Sequence, residues 1–270
     1  MSDDGQPQGQ KYRLDLQYIG TPFLGWQTQP QGGTIQDHLE GALTTMLRHK
    51  VRITGAGRTD TGVHAEHQVA TFTTTVPYAE RSWIKSLHGL LPREIGITRL
   101  SPVDEAFHPI LSAQGKAYRY RVWTGVTRNP WVDPCSWQVV PTLDLAAMRS
   151  AAQSLVGTYD FTSFCAVDSS AKTRERTVLR VSIESYGPLL EFWVIGRGFL
   201  KQMVRTMVGT LVDIGLGKHQ PAAIDTMLEA RDRRAAGRTA PAQGLTLVRV
   251  FYEDDPTSFE IFAPPPSFAV

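Results

Sequence analysis

The sequence predicts an α+β protein built of two ferredoxin-like halves, each running β-α-β-β-α-β. Two observations lead there. Runs with a two-residue apolar period alternate with runs whose apolar residues recur every three or four positions. That succession of elements then occurs twice along a chain of 270 residues, which is long enough to bury two cores.

In the first half, "YRLDLQYIG" alternates apolar and polar residues as a half-buried strand does. "TIQDHLEGALTTMLRHK" reads as a helix. Thr34 is placed to cap it, Asp37 falls at the third helical position, and Ile35, Leu39, Leu43 and Leu47 keep one face apolar. A short strand is expected at "VRIT", then the glycine-rich "GAGRTDTGVHA" and a strand at "QVATFTTTV". A helix at "RSWIKSLHGLL" and a strand at "GITRLSPV" complete this half.

The second half repeats the order. "KAYRYRVWTG" is a strand, and "DLAAMRSAAQSLVG" a helix with Gly157 expected at its C-terminal end. "TVLRVSIESYGPLLEFWVIG" forms a hairpin turning near Tyr186, Gly187 and Pro188. Helices at "FLKQMVRTMVGTLVDIG", beginning from Phe199, and at "PAAIDTMLEA" precede a last strand at "LTLVRVFY". The expected domains are 11–107 and 108–252, between a disordered tail at 1–10 and an acidic, Pro-rich tail at 253–270.

Charge points to a polyanionic partner. The chain carries a net +2, but its first ten and last eighteen residues hold six acids and no lysine or arginine. Residues 11–252 therefore hold 28 basic against 20 acidic side chains, a net of +8. Cys135 and Cys165 have no C-x-x-C spacing and read as free thiols of a reducing compartment. With no apolar run of membrane-spanning length and no signal-like N-terminus, a soluble cytoplasmic protein without a membrane partner is expected.

The chemistry centres on "GAGRTDTGVHA". Gly55, Gly57 and Gly62 allow positive φ and close backbone approach around Asp60. By itself this is a tight connection between strands. It matches neither a G-x-G-x-x-G phosphate loop nor a P-loop. His64 and His67 have an H-x-x-H spacing without a third ligand nearby, so surface or core histidines are expected and no metal. Asp60-Thr61-Gly62 also spells the aspartic-protease tripeptide, but no second D-[ST]-G exists to supply the paired carboxylate within one chain.

"GAGRTDTGVHAEHQVATF" resembles the catalytic motif of the tRNA pseudouridine synthase A family. "FHPILSAQGKAYRYRVW", "DFTSFCA", "FLKQMVRTMVGTLVDIG" and "TAPAQGLTLVRVFY" resemble that family's further motifs, in the family's order. They are spread along the chain from residue 55 to residue 252. The resemblance implies two ferredoxin-like domains sharing one large mixed, mainly antiparallel sheet with a central cleft, in agreement with the duplicated pattern.

The resemblance also implies a reaction. Uridines of the tRNA anticodon stem-loop, at positions 38, 39 and 40, become pseudouridine. The N1–C1′ bond breaks, the uracil turns, and C5 bonds to C1′. Asp60 would be the nucleophile, at C1′ of the ribose or C6 of the base, on a nucleotide flipped out of the stack. Tyr118 would stack on the uracil; without the motif it is one of two aromatics, with Tyr120, on one face of a strand. Arg205 would pair with the catalytic carboxylate. It lies at the edge of its helix's apolar stripe, on the side of Lys201, where a solvated basic flank is the alternative. Arg58 would contact phosphate or help extrude the base, and Leu245 would line the pocket.

One position departs from the family. The resemblance places an arginine two residues after His108, where this chain has Ile110. A relative that binds RNA without catalysis is the competing class. It has no use for a glycine-framed acid, because a carboxylate repels phosphate. An isomerase acting on tRNA, with no cofactor and as a homodimer, is what the resemblance implies.

Overall fold

The computed structural model describes residues 9–77 and 79–264. Most of the expected tail at 1–10 lies outside them, as do residues 265–270 of the C-terminal tail. The chain divides into two units, 1–113 and 114–270.

The first unit runs β1 (Gln10–Tyr18), α1 (Ile35–Leu47), β2 (Thr54–Gly55), β3 (His64–Thr74), α2 (Glu80–Leu90) and β4 (Ile95–Pro102). Its strands lie in the order β4-β1-β3-β2, each pair antiparallel. That is the ferredoxin-like order for β-α-β-β-α-β. The alternation read in β1 puts Tyr12, Leu14, Leu16 and Tyr18 in the core, where Leu39 and Leu43 of α1 are also buried and Tyr12 meets Trp83 of α2. At the start of α1, Thr34 and Asp37 form a reciprocal capping box. The strand expected at "VRIT" is only Thr54–Gly55. Val51 and Ile53 are buried, but here the backbone pairs with β3 only at Thr54 and Gly55.

The second unit runs β5 (Gly115–Trp123), β6 (Trp137–Gln138), α3 (Leu145–Gln153), β7 (Gly157–Asp160), β8 (Glu175–Tyr186), β9 (Leu189–Gly196), α4 (Met203–Gly215), α5 (Ala223–Ala230) and β10 (Leu245–Phe251). The order β10-β5-β9-β8 repeats that of the first unit, with β7 added beside β8 and β6 parallel to β5. Neither β6 nor β7 is legible in the sequence, being two and four residues long. Two expected boundaries move. Gly157 opens β7 with φ +139°, while α3 already ends at Ser154. And α4 starts at Met203, after Gln202 in the left-handed region, φ 61°. Lys201 therefore lies off the helix, paired with Asp168 at 2.6 Å.

The C-terminal segment begins as structure. A 3-10 turn at Pro256–Ser258 brings Phe259 onto Phe251 and Trp193, with ring centroids 5.5 and 5.9 Å away.

Candidate active site

Asp60 sits on the connection between β2 and β3, and short-range chemistry shapes its turn. The Val63 N–H donates to the Asp60 carbonyl at 3.1 Å, closing a four-residue turn. Its third residue, Gly62, has φ +82°, the sign such a turn demands there. Asp60 is half-buried, its neighbours Arg58 and Thr61 are exposed, and Thr59 is buried.

The buried neighbour is where the loop is fastened. The Thr59 carbonyl accepts the Trp26 N–H at 3.0 Å, and the Thr59 hydroxyl bonds the Tyr18 hydroxyl at 2.8 Å. Gln68 Nε2 donates to the Gly57 carbonyl at 2.8 Å, and the Ala56 N–H donates to the Val69 carbonyl at 2.7 Å. With the turn itself, five hydrogen bonds hold residues 56–63. A hydroxyl buried as deeply as that of Tyr18 resists ionisation; burial pushes it up to about 12. It remains a neutral partner for Thr59 at any physiological pH.

Two glycines let the segment after β1 lie against this loop. A Cβ on Gly20 would fall 1.9 Å from the Val63 carbonyl oxygen. One on Gly25, itself at φ +84°, would fall 2.8 Å from that of Thr59. From there the Gly25 and Trp26 carbonyls accept the first N–H groups of α1, those of Ile35 and Gln36. The Asp60 loop is thus tied to a helix start more than twenty residues upstream.

The two histidines of the H-x-x-H spacing belong to this scaffold. His64 is buried, and its Nδ1 accepts the Gly20 N–H at 3.1 Å. His67 Nε2 lies 3.1 Å from Asp15, which also accepts from Arg13. Burial alone would raise the Asp15 carboxyl, but the bonds from His67 and Arg13 outweigh it and hold it below the usual range. No cluster of three metal-ligating side chains exists among the described residues.

In the second unit, Arg205 and Leu245 both lie beside Tyr120, two residues along β5 from Tyr118. Tyr118 is buried to 7% exposure, and Phe199 meets its ring edge-on, centroids 5.1 Å apart. Across β10, Leu245 stands opposite Tyr120 and Leu247 opposite Tyr118. Burial raises the Tyr120 hydroxyl well above the tyrosine range, against the opposing charge of Arg205. That hydroxyl donates to the Pro241 carbonyl at 2.8 Å.

Arg205 is half-buried on the first turn of α4. Its Nε donates to the Ala240 carbonyl at 2.8 Å, and the Ala240 N–H donates to the Arg205 carbonyl at 3.0 Å. The segment 236–244 that supplies these partners lies directly on α4. A Cβ on Gly209 would fall 1.9 Å from the Arg238 carbonyl oxygen, so only glycine admits the contact. Asp213 accepts from Lys218, from the Arg238 guanidinium and, at 3.3 Å, from the Arg238 N–H. Arg233 holds the same segment from outside, through the Gly237 carbonyl and the Thr239 hydroxyl.

Sequence reasoning named the residues at the tips and missed those beneath them. Gly25, Thr59, Tyr18 and Gln68 support Asp60, while Phe199 supports Tyr118. Gly209, Asp213 and Arg233 support Arg205. Phe199, Gly209 and Asp213 all lie within "FLKQMVRTMVGTLVDIG", where no feature distinguishes them from ordinary helical residues. Ile110, at the position of the family's arginine, is 50% exposed in a turn held by His108 Nδ1.

Comparison with known proteins finds close relatives in sequence. The family profile described as tRNA pseudouridine synthase matches residues 16–110 and 151–253. A protein named tRNA pseudouridine synthase A from Geobacillus kaustophilus (strain HTA426) is 44% identical over 248 residues, 91% of this chain and 96% of that protein. One of the same name from Myxococcus xanthus is 41% identical over 247 residues, 91% and 93% of the two chains.

Proposed function

The chain belongs to the tRNA pseudouridine synthase family, and from that premise we propose how its residues carry the reaction. It is an isomerase that converts uridine of the tRNA anticodon stem-loop to pseudouridine. Asp60 is the nucleophile. Its carboxylate bonds to C1′ of the ribose or C6 of the base, the N1–C1′ bond breaks, and the detached uracil rotates within the pocket. C5 then bonds to C1′, the C5 proton is lost, N1 gains one, and Asp60 is released. Atoms and electrons balance without a second substrate.

Tyr118 stacks on the flipped uracil, Arg205 supplies the guanidinium that pairs with the attacking carboxylate, and Leu245 closes the apolar wall. Arg58, exposed beside the nucleophile, meets backbone phosphate. One observation carries this reading: a half-buried carboxylate on a turn that five hydrogen bonds hold in place. A structural turn does not require that fixation, whereas a nucleophile must be held within a fraction of an ångström of its target.

The test is Asp60→Asn, which keeps the shape and removes the nucleophilic charge. Pseudouridine formation in anticodon-arm transcripts is expected to vanish while tRNA binding persists. Turnover near the normal rate would overturn the assignment.

In this reading the enzyme acts in the cytoplasm as a homodimer, one subunit gripping the tRNA body while a site receives the base. The basic excess of +8 over residues 11–252 supports an electrostatic grip. No helix among the described residues is long and apolar enough to cross a membrane. Sedimentation together with tRNA binding across a salt series tests both parts. A monomer at micromolar concentration with a flat salt response would sink them.

A further inference from the structure

We propose that Lys116, backed by Arg176, forms a binding position for a phosphodiester of the RNA strand that flanks the nucleotide stacked on Tyr118. This rests on the reading that the substrate is tRNA. It adds a residue to which neither the family resemblance nor the roles above give a part.

Residues two apart on a strand share a face, with side chains roughly 7 Å apart. Lys116 and Tyr118 therefore project from β5 on the same side. Opposite Lys116 on β9 stands Gly196. A Cβ on Gly196 would lie 2.8 Å from the Thr177 carbonyl oxygen and 3.0 Å from Cζ of Phe199, the ring that meets Tyr118. At this point the chain leaves β9 towards α4, carrying the exposed Arg197, whose N–H donates to the Thr177 carbonyl. Arg176, the neighbour of Thr177, has its Cδ 3.8 Å from where a Cβ on Gly198 would be. One end of β5, β8 and β9 thus gathers Lys116, Arg176 and Arg197 beside the stacking tyrosine, with Asp255 acting on Arg197 from the C-terminal segment.

This arrangement is electrostatically costly in the free protein. Burial, and then the charge of Arg176, holds the Lys116 amine down to about 8. An anion beside the two cations offsets their mutual repulsion and favours the charged amine. The substrate carries one phosphate next to every base, so a strand presenting its uracil to Tyr118 brings one to this end of the sheet. A lysine suits it as a point charge with three rotatable donors.

The experiment uses the full chain with Lys116→Met and Lys116→Arg. It measures tRNA binding from low to high salt and the single-turnover rate at saturating tRNA. Lys116→Met is expected to weaken binding and to flatten the slope of log affinity against log salt by about 0.7–0.9, the loss of one phosphate contact. The saturated rate should remain within a few-fold, and Lys116→Arg should restore the slope. Arg176→Gln provides a second reading of the slope should the methionine variant fail to fold.

An unchanged slope in both charge-removing variants would overturn the proposal. So would a loss confined to the saturated rate, which would make the amine a proton-transfer group instead. Wild-type protein in the same assay separates the two levels of inference. If it neither binds tRNA nor forms pseudouridine, the functional reading itself has failed.

Discussion

Arg205 and Ala240 exchange two hydrogen bonds, Nε to carbonyl at 2.8 Å and N–H to carbonyl at 3.0 Å, although 35 residues separate them. One edge of the guanidinium is spent on backbone, which fixes the plane of the rest. Lysine retains the charge but lacks a second donor fixed in that plane. Arg205→Lys should therefore bind tRNA nearly as well as wild type and lose on the order of 10²-fold in single-turnover rate, as misplacement of a reacting group does. A rate within two- or three-fold of wild type would show that the charge alone suffices.

Gly25→Ala tests the support under Asp60. At φ +84°, and with a Cβ 2.8 Å from the Thr59 oxygen, alanine must strain the backbone or push the Asp60 loop away. The expected cost is roughly 1–3 kcal/mol in urea unfolding, together with a loss of rate at saturating tRNA. Gly32, also at positive φ but with open space around it, provides the control: Gly32→Ala should be strained yet leave the rate intact.

Tyr118→Phe separates ring from hydroxyl. Phe199 packs edge-on against the ring, and phenylalanine preserves that contact. Affinity for tRNA should hardly change. If the hydroxyl moves a proton, the single-turnover rate should drop by roughly 10²–10⁴-fold; an unaltered rate confines Tyr118 to stacking.

Asp213 gives a pH signature. Burial would raise its carboxyl, but bonds from Lys218 and Arg238 and the Arg238 charge outweigh it, leaving it below the ordinary 3.8. A carboxyl depressed on folding adds stability above its unfolded pKa and loses it as pH falls through the folded value. Asp213→Asn should therefore be less stable than wild type at neutral pH, with the gap narrowing below about pH 4. Urea midpoints measured from pH 7 to pH 3 provide the check, and a gap constant over that range would exclude the ionic tie.

By itself the sequence determined the repeated β-α-β-β-α-β succession, the Thr34 cap and the hairpin at Gly187. It also singled out Asp60, in its glycine-framed turn, as the candidate nucleophile. Those features rest on periodicity, on capping and turn chemistry within a few residues, and on motifs that are contiguous in the chain.

Tertiary structure decided what holds the chemistry in place. Nothing local announces that Gly25 must admit the Thr59 carbonyl, that Gly209 must admit that of Arg238, or that Tyr18 caps a threonine 41 residues away. The start of α4 moved for the same reason. Residues 199–202 continue the apolar pattern of a helix, yet Gln202 takes a left-handed conformation while Phe199 packs on Tyr118 and the Lys201 carbonyl accepts the Ala166 N–H. Close backbone approach and hydrogen bonds between distant segments leave no period in a sequence. They exist only once the chain has brought those segments together.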